Sequence, residues 1–193
     1  AAQIAARARS ARRLVDAFLD EMGDRLAGET RRVLRDVAGA YPALLVEPAA
    51  ASVTLLHGDS HPWNFLHPRD GVGRTILLDW ESWSIGAGPN DLVALIAMRS
   101  LPDLRREREA ALLERYHAAL RAAGVAGYVL DDCWNDYRRG VARRLLAPLR
   151  LRRAGSASWQ ASLGCLTLAY HDLRCEEMLP VPGDEAKGDE RQG

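Results

Sequence analysis

The spacing of apolar residues predicts helices in the first part of the chain. From Ile4 to Met22 apolar residues recur every three or four positions, which is the spacing of one face of an amphipathic helix. Gly23 is expected to end this helix. A second helix is predicted over residues 29–40, and the Tyr41-Pro42 pair is expected to stop it, because a proline disfavours helical backbone in the residue before it.

Between residues 52 and 80 the pattern changes to short runs of strand-forming residues. Three such runs, 52–56, 65–67 and 75–78, are rich in β-branched and apolar side chains. The segment PRDGVG separates the second run from the third and is typical of a turn, so these two runs are predicted to form a β-hairpin.

Helical patterns return after Pro89 and continue almost to the end of the chain. The predicted helices are residues 90–99, 104–123, 131–151 and 156–179. Pro148 is expected to kink or end the third of them. The predicted fold class is therefore mainly α, formally α+β, with a small β insert between helices. The polar residues 181–193 are predicted to be a disordered tail.

Composition and charge describe an ordinary globular chain. Its 193 residues are 48% hydrophobic and 27% charged, which excludes disordered and fibrous classes. Lys+Arg and Asp+Glu number 26 each, and this zero net charge argues against nucleic-acid and anionic-membrane partners. The arginine-rich runs 105–108 and 150–153 are interpreted as solvated helix faces. No apolar run approaches the roughly 18 residues that a membrane span needs.

The number and spacing of the cysteines indicate in which cellular compartment the protein is found. The three cysteines are widely spaced, odd in number and not arranged as CxxC, which argues against a disulfide framework or a thiolate zinc site. Reduced thiols of this kind fit a cytoplasmic protein.

Three polar side chains mark the ends of the predicted strands. Asp59 and Asn64 lie five residues apart on a loop after the first run, and Asp79 directly follows the third. A hairpin between Phe65 and Leu78 would return Asp79 close to Asn64. An amide oxygen beside a carboxylate suits Mg²⁺, which prefers oxygen ligands and usually keeps substrate phosphates in its shell. Asp59 could accept the proton of an attacking hydroxyl.

Three motifs with a definite order and spacing surround these side chains. They are HGDSHPWN at residues 57–64, LDWE at 78–81 and GAGPNDL at 86–92. Together they resemble the HGDxHxxN, DWE and GxGxxDL motifs of the aminoglycoside phosphotransferase and choline kinase-like family. The first two also resemble the catalytic loop and metal-binding Asp of the wider protein-kinase-like superfamily.

The resemblance implies a fold and an activity. The expected fold is the C-terminal lobe of a kinase-like protein over residues 1–180, with leading helices at 1–50, the catalytic loop and hairpin at 52–80, and a helical acceptor-binding region at 89–180. The expected activity is ATP- and Mg²⁺-dependent transfer of the γ-phosphate to a hydroxyl of a small molecule.

Carried over by position, the resemblance also implies roles for residues of the first two motifs. Asp59 would be the catalytic base or would orient the hydroxyl, and His57 would support the loop through hydrogen bonds. Asn64 and Asp79 would hold Mg²⁺ that bridges the ATP phosphates. His61 would either stabilise the loop or lie near the phosphates.

Further residues are candidates for support and for substrate contact. Asp91 would brace the catalytic loop or cap its helix. Glu81 and Trp83 come after the metal-binding Asp and could border the acceptor site, and Asp132 and Asp136 could face the acceptor from a helix.

The chain departs from the family pattern in one respect. Family members carry an N-terminal β lobe with a phosphate-covering loop and a lysine that contacts ATP, whereas Lys187 is the only lysine of this chain and lies in the tail. The N-terminal β lobe is therefore predicted to be absent, and the chain could be inactive alone. A missing lobe or a second copy of the chain would then be its partner.

Two other functions stay open at the sequence level. A kinase-like lobe without its partner lobe could be a non-catalytic binding or oligomerisation module. Alternatively, His57, Asp59 and His61 form an HxDxH pattern that superficially resembles the site of a metal-dependent hydrolase, for which imidazole ligands would favour zinc.

Overall fold

A computed structural model describes residues 2–46 and 53–180 of the chain. These residues are mostly helical and include two small antiparallel sheets, which confirms the predicted fold class. The predicted disordered tail at 181–193 lies outside the described residues. None of the helices in the described ranges is long and apolar enough to cross a membrane.

The first two helices pack against each other and form one side of the core. Helix α1 spans Ala2–Met22, a 3₁₀ turn comes next at Gly23–Arg25, and helix α2 spans Gly28–Leu44. Both helices bury an apolar stripe, because residues three and four apart lie on the same face. The buried residues of the two stripes include Ala11, Val15, Phe18, Val33, Leu34 and Val37.

The predicted end of α2 is wrong. The helix continues beyond residue 40 to Leu44 and contains Pro42 in its last turn. Proline costs a helix one backbone hydrogen bond. Here the extra turn buries Tyr41, Leu44 and Leu45, and the Leu45 N–H closes the helix on the Tyr41 carbonyl at 3.1 Å. Burial of these side chains outweighs the local preference for a stop.

The β insert contains four short strands in two pairs. Strands β2 (Phe65–Leu66) and β3 (Ile76–Leu77) form the predicted hairpin, with Phe65 opposite Leu77. Strand β1 (Val53–Leu56) pairs antiparallel with a strand that the sequence pattern did not predict, β4 (Ser84–Ala87). This second pairing brings the loop after β1 close to the chain that enters the next helix.

The remaining helices form the rest of the core. They are α3 (Pro89–Leu92), which continues into a π-helical turn at Val93–Ala97, then α4 (Pro102–Ala122), α5 (Leu130–Arg144), α6 (Ala147–Arg153) and α7 (Trp159–Asp172). The Met98 N–H donates to the Val93 carbonyl at 3.0 Å, which is the five-residue spacing of a π-turn.

Two of the predicted C-terminal helices are shorter than expected. The predicted helix 131–151 is divided into α5 and α6, and Pro148 lies in the first turn of α6, where a missing N–H is tolerated. The predicted helix 156–179 begins at Trp159 and ends at Asp172. Arg174 adopts the left-handed conformation, with φ of 51°, and this backbone cannot continue a helix.

A buried polar network joins α4, α5 and α7. Arg105 is 2% exposed and pairs with Glu109 and with Asp172, and the Tyr137 hydroxyl donates to Glu109 at 2.8 Å. Burial raises the pKa of the Glu109 carboxyl, while the Tyr137 hydrogen bond and the Arg105 charge oppose that shift. The network pairs charges that the surrounding apolar core could not solvate, although Arg105 Nε has no hydrogen-bond partner among the described residues.

Two helical glycines provide a matched test of this packing. A methyl group at Gly140 on α5 would lie 2.8 Å from Asn90 Oδ1 and 2.9 Å from Val93 Cγ2, whereas one at Gly164 on α7 would meet nothing within 4 Å. We expect Gly140→Ala to lower the free energy of unfolding by about 1–3 kcal/mol through overpacking. Gly164→Ala should raise it by about 0.5–1 kcal/mol. Urea unfolding measures both, and equal effects would contradict the α3–α5 packing.

Candidate active site

The loop after β1 is fixed by the side chain of Asp91. Its two carboxylate oxygens accept the backbone N–H of His57 at 2.7 Å and of Gly58 at 2.9 Å. The Ser60 hydroxyl donates to the Asp91 carbonyl at 2.7 Å. Hydrogen bonds to a carboxylate are among the stronger ones in proteins. Asp91, at the start of the helical region, therefore braces the first residues of the loop.

The imidazole of His57 links the same loop to the end of the hairpin. The ring is buried, its Nδ1 accepts the Asp59 N–H at 3.2 Å, and its Nε2 lies 2.7 Å from the Leu78 carbonyl. These partners require the neutral tautomer with the proton on Nε2, because Nδ1 is an acceptor and a carbonyl needs a donor. Both ring nitrogens are thus engaged in holding the loop.

Asn64 connects the loop to the hairpin from the other side. Its side-chain nitrogen donates to the Asp59 carbonyl at 2.9 Å, and its backbone carbonyl accepts the Leu78 N–H at 2.8 Å. The backbone of Asn64 is therefore one hydrogen bond from the residue that precedes Asp79. Asn64 and Asp79, the two residues predicted to hold Mg²⁺, are thus carried by adjoining ends of the hairpin strands, and the Asp79 carboxylate is exposed.

Asp79 has an unusual backbone conformation. Its φ of 61° and ψ of 64° lie in the left-handed region, shared among the described non-glycine residues only by Arg174. Such a conformation costs an L-residue on the order of 1 kcal/mol and persists where the surroundings hold it. Here the Trp80 indole donates to the Leu77 carbonyl at 3.0 Å across this bend. The sharp turn redirects the chain immediately after the hairpin.

Gly58 is required by a close approach of the loop to the segment after Asp79. Its φ is +84°, and a Cβ at this position would lie 2.1 Å from the Ser82 carbonyl oxygen. Only glycine avoids both the strain and the clash. The HGD motif therefore packs closely against Ser82, the residue that follows the LDWE motif.

His61 lies beside the candidate catalytic carboxylate. Its Nε2 is 3.5 Å from Asp59 Oδ2, and its buried Nδ1 has no hydrogen-bond partner among the described residues. The ring of Trp63 stands edge-on to it at 5.5 Å, and the Arg99 guanidinium lies 5.9 Å from the centre of the Trp63 ring. The indole of Trp63 is 75% exposed beside the loop.

Arg144 is a part of this region that the sequence pattern did not predict. It reaches the loop from the end of α5, with Nη1 3.4 Å from the Gly58 carbonyl. Burial lowers the pKa of Arg144, while the carboxylates of Asp59 and Asp91 oppose that shift. Four arginines lie between residues 138 and 144, and no feature of the sequence distinguishes the one that turns towards the loop.

The four residues predicted to contact the acceptor are divided between two places. Glu81 and Trp83 are exposed on the segment after Asp79. Asp132 accepts the Val129 N–H at 3.2 Å and caps α5, and the buried Asp136 accepts the Tyr128 hydroxyl at 2.9 Å. The latter two are engaged in the structure of α5 and its preceding turn.

The side chains available as metal ligands help to distinguish a zinc site from a magnesium site. Across residues 2–46 and 53–180, no group of three or more His, Cys, Asp or Glu side chains is placed to hold a metal ion. The HxDxH pattern does not produce such a group, because both ring nitrogens of His57 are occupied. The two oxygen donors of Asn64 and Asp79 fit Mg²⁺, which commonly binds through one or two carboxylates together with substrate phosphates and water.

The Asp91 brace can be tested by one substitution and a matched control. Asp91→Asn replaces an acceptor oxygen by an NH₂ group that faces a backbone N–H, and we expect a loss of about 1–3 kcal/mol in the free energy of unfolding. Amide hydrogen exchange at His57 and Gly58 should accelerate with it. The control, Asp70→Asn, alters the exposed turn where Asp70 accepts the Val72 N–H. Unchanged exchange at His57 in Asp91→Asn would contradict the brace.

Comparison with known proteins identifies the family. The sequence model of the ecdysteroid kinase-like family matches residues 4–124, from the first turn of α1 through the loop motifs to the end of α4. No curated protein and no solved structure matches the chain. The matched family lies in the protein-kinase-like superfamily, which confirms the resemblance at that level but not to the aminoglycoside phosphotransferase and choline kinase-like family. The chain therefore belongs to the ecdysteroid kinase-like family, a kinase-like group for which ATP use is the general expectation.

Proposed function

We propose that the chain is an ATP- and Mg²⁺-dependent phosphotransferase that moves the γ-phosphate to a hydroxyl of a small molecule. One observation carries the proposal: hydrogen bonds tie the backbone of Asp59 to His57 and Asn64, and both of these residues are bonded to Leu78, which directly precedes Asp79. Phosphoryl transfer depends mainly on positioning and charge neutralisation, so a rigid arrangement of these groups suits the reaction.

Each of the three side chains takes a role in this proposal. Asp59 accepts the proton of the attacking hydroxyl or orients that hydroxyl, since a carboxylate at the loop surface is a suitable acceptor. The oxygens of Asn64 and Asp79 hold Mg²⁺. When bound, Mg²⁺ neutralises phosphate charge. His57 acts on Asp59 through its backbone, by holding the N–H of that residue.

The surrounding residues complete the proposal. Glu81 and Trp83 border the acceptor, because both are exposed on the segment after Asp79. Asp132 and Asp136 influence the acceptor region through the start of α5. His61 keeps its two roles, as a stabiliser of the loop or a neighbour of the phosphates. Residues 1–180 as a whole are proposed to form the C-terminal lobe of the kinase.

A second candidate function rests on the exposed apolar surface around the site. In the described residues, ten large apolar side chains between 53 and 85 are exposed, and they are Val53, Leu55, Trp63, Leu66, Val72, Ile76, Leu78, Trp80, Trp83 and Ile85. So many exposed large apolar side chains in one segment favour a covering partner. We propose that another lobe or a second copy of the chain covers it, which would also suit a non-catalytic binding module.

Nucleotide binding tests the first proposal. In calorimetric titrations, ATP should bind in the presence of Mg²⁺, and Asp79→Asn should weaken that binding by about tenfold or more because a charged ligand group is lost. Asp70→Asn removes an equal charge from the turn of the same hairpin and should leave the affinity unchanged.

The outcome of this titration distinguishes a wrong role for Asp79 from a wrong kinase proposal. Binding that ignores Mg²⁺, or that both variants weaken equally, would contradict the metal-holding role of Asp79. If the folded chain binds no ATP, the titration is repeated with a chain that carries an upstream lobe. If that longer chain also binds no ATP, the kinase proposal is wrong.

Phosphate transfer tests the role of Asp59. Asp59→Asn should retain Mg²⁺-dependent ATP binding and lose transfer to hydroxyl compounds by at least about a hundredfold, the usual contribution of a proton acceptor. The measurement is transfer of labelled γ-phosphate in a screen of small alcohols. Retained transfer in the variant would assign the proton acceptor to another group.

Self-association tests the apolar surface. Leu55 and Ile85 are cross-strand partners, 53% and 61% exposed. If a second copy covers them, Leu55→Arg/Ile85→Arg should convert an oligomer to a monomer in sedimentation velocity, because burying two unpaired charges at an interface is costly. The control is Leu112→Arg on α4, which is 42% exposed and outside this surface. A wild-type monomer would leave the other lobe as the proposed cover.

A further inference from the structure

A wide groove lies apart from the catalytic loop and the hairpin. It has a volume of about 1310 Å³ and runs between one face of α1, the last turn of α6 and the turn 154–157 that leads to α7. None of the motif residues at 57–64, 78–81 or 86–92 lines it. A volume of this size is sufficient for a small organic molecule.

The charged side chains of the groove are predominantly basic. Arg13 reaches it from α1, and Arg150, Arg152 and Arg153 reach it from α6, whereas Glu21 is the acidic residue among its lining. Arg152 is paired with Glu21. Arg13, Arg150 and Arg153 make no ion pair with any described residue. A chain with no net charge thus concentrates positive charge in one concave place.

The position of α6 explains only part of this charge. Arginines in the last turn of a helix interact favourably with its carbonyl ends, and this would account for Arg150 and Arg153 without any ligand. It does not account for Arg13, which lies on a different helix and faces the same groove. Convergence of cations from two elements is what an anion site requires.

The aromatic side chain of Trp159 lines the groove beside the arginines. The ring of Trp159 meets Phe18 edge to face, with ring centres 5.7 Å apart, and both residues line the groove. The guanidinium of Arg152 lies 4.9 Å from the centre of the Trp159 ring. Because Glu21 and Trp159 both hold Arg152, its donors have little freedom left to lose on binding. The groove therefore combines a fixed apolar surface with cationic donors.

We propose that this groove binds a small organic anion, with a flat apolar body against Trp159, which packs on the buried Phe18, and a carboxylate, phosphate or sulfate group held by the arginines. The apolar lining disfavours a bare inorganic ion, and the unpaired arginines disfavour a neutral ligand. The site is independent of the proposed nucleotide site and of its residues.

The test uses three probes on the full chain: 1-naphthyl phosphate, 1-naphthol and inorganic phosphate. Binding is followed by calorimetry and by the indole N–H signals in ¹H–¹⁵N spectra, with the Trp159 signal assigned from Trp159→Phe. We expect 1-naphthyl phosphate to bind at least about tenfold more tightly than either other probe, and to weaken as salt is added, because its charge is screened. The Trp159 signal should shift most.

Two double variants test whether the arginines of the groove bind the anionic group of the probe. Arg150→Gln/Arg153→Gln removes two exposed arginines of the groove and should weaken 1-naphthyl phosphate binding by about tenfold or more. Arg115→Gln/Arg121→Gln removes two exposed arginines of α4 and should leave it unchanged. Asp79→Asn should also leave it unchanged, so the groove and the nucleotide site are judged separately.

Four results would overturn the proposal. In the first two, 1-naphthol or inorganic phosphate binds as tightly as 1-naphthyl phosphate. In the third, the Arg115/Arg121 pair of substitutions weakens binding as much as the Arg150/Arg153 pair. In the fourth, the indole signal of Trp63, Trp80 or Trp83 shifts more than that of Trp159. The last would place the probe on the exposed apolar surface of residues 53–85.

Discussion

The carboxylate of Asp91 accepts hydrogen bonds from two backbone N–H groups, those of His57 and Gly58. Without it, these groups would have neither water nor another protein atom as a hydrogen-bond partner. It joins residues 34 positions apart, at the end of β1 and the start of α3. Buried amides need partners, and here no strand or helix supplies them. The orientation of His57, and through it the position of the hairpin, depends on this one acceptor. The HGD motif and the GxGxxDL motif therefore depend on each other: the second supplies the acceptor for the backbone N–H groups of the first.

The hairpin was predictable because its signal is local. A turn segment between two short apolar runs is visible in the sequence, and the backbone contact of Asn64 with Leu78 results from the pairing of those runs. Strand β4 was missed because Ser84–Ala87 is short and contains Gly86, and its partner lies 30 residues away. The end of α2 was wrong for a related reason: Pro42 is a local signal, whereas the burial of Leu44 is decided by the whole fold.

Arg144 shows where sequence reasoning reaches its limit. Its part in the site depends on which face of α5 lies against the loop, and that depends on how α5 packs on α3 through Gly140. The same holds for the groove near Trp159, where cations 137 residues or more apart in the chain converge only after α1 and α6 have packed. A run of arginines on a helix is compatible with a solvated face, and only the tertiary structure shows what each one approaches.

The π-helical turn at Val93–Ala97 makes this region unusually sensitive to chain length. A π-turn holds one more residue than an α-turn, so removal of a single residue would restore regular α-helix there. Each residue of an α-helix advances the chain by about 100°. Such a deletion would leave Asp91 in place and rotate the chain beyond the turn, carrying Arg99 away from Trp63. In the divergence of related sequences, a one-residue gap at this point would therefore act as a rotation of the helical region against an unchanged catalytic loop.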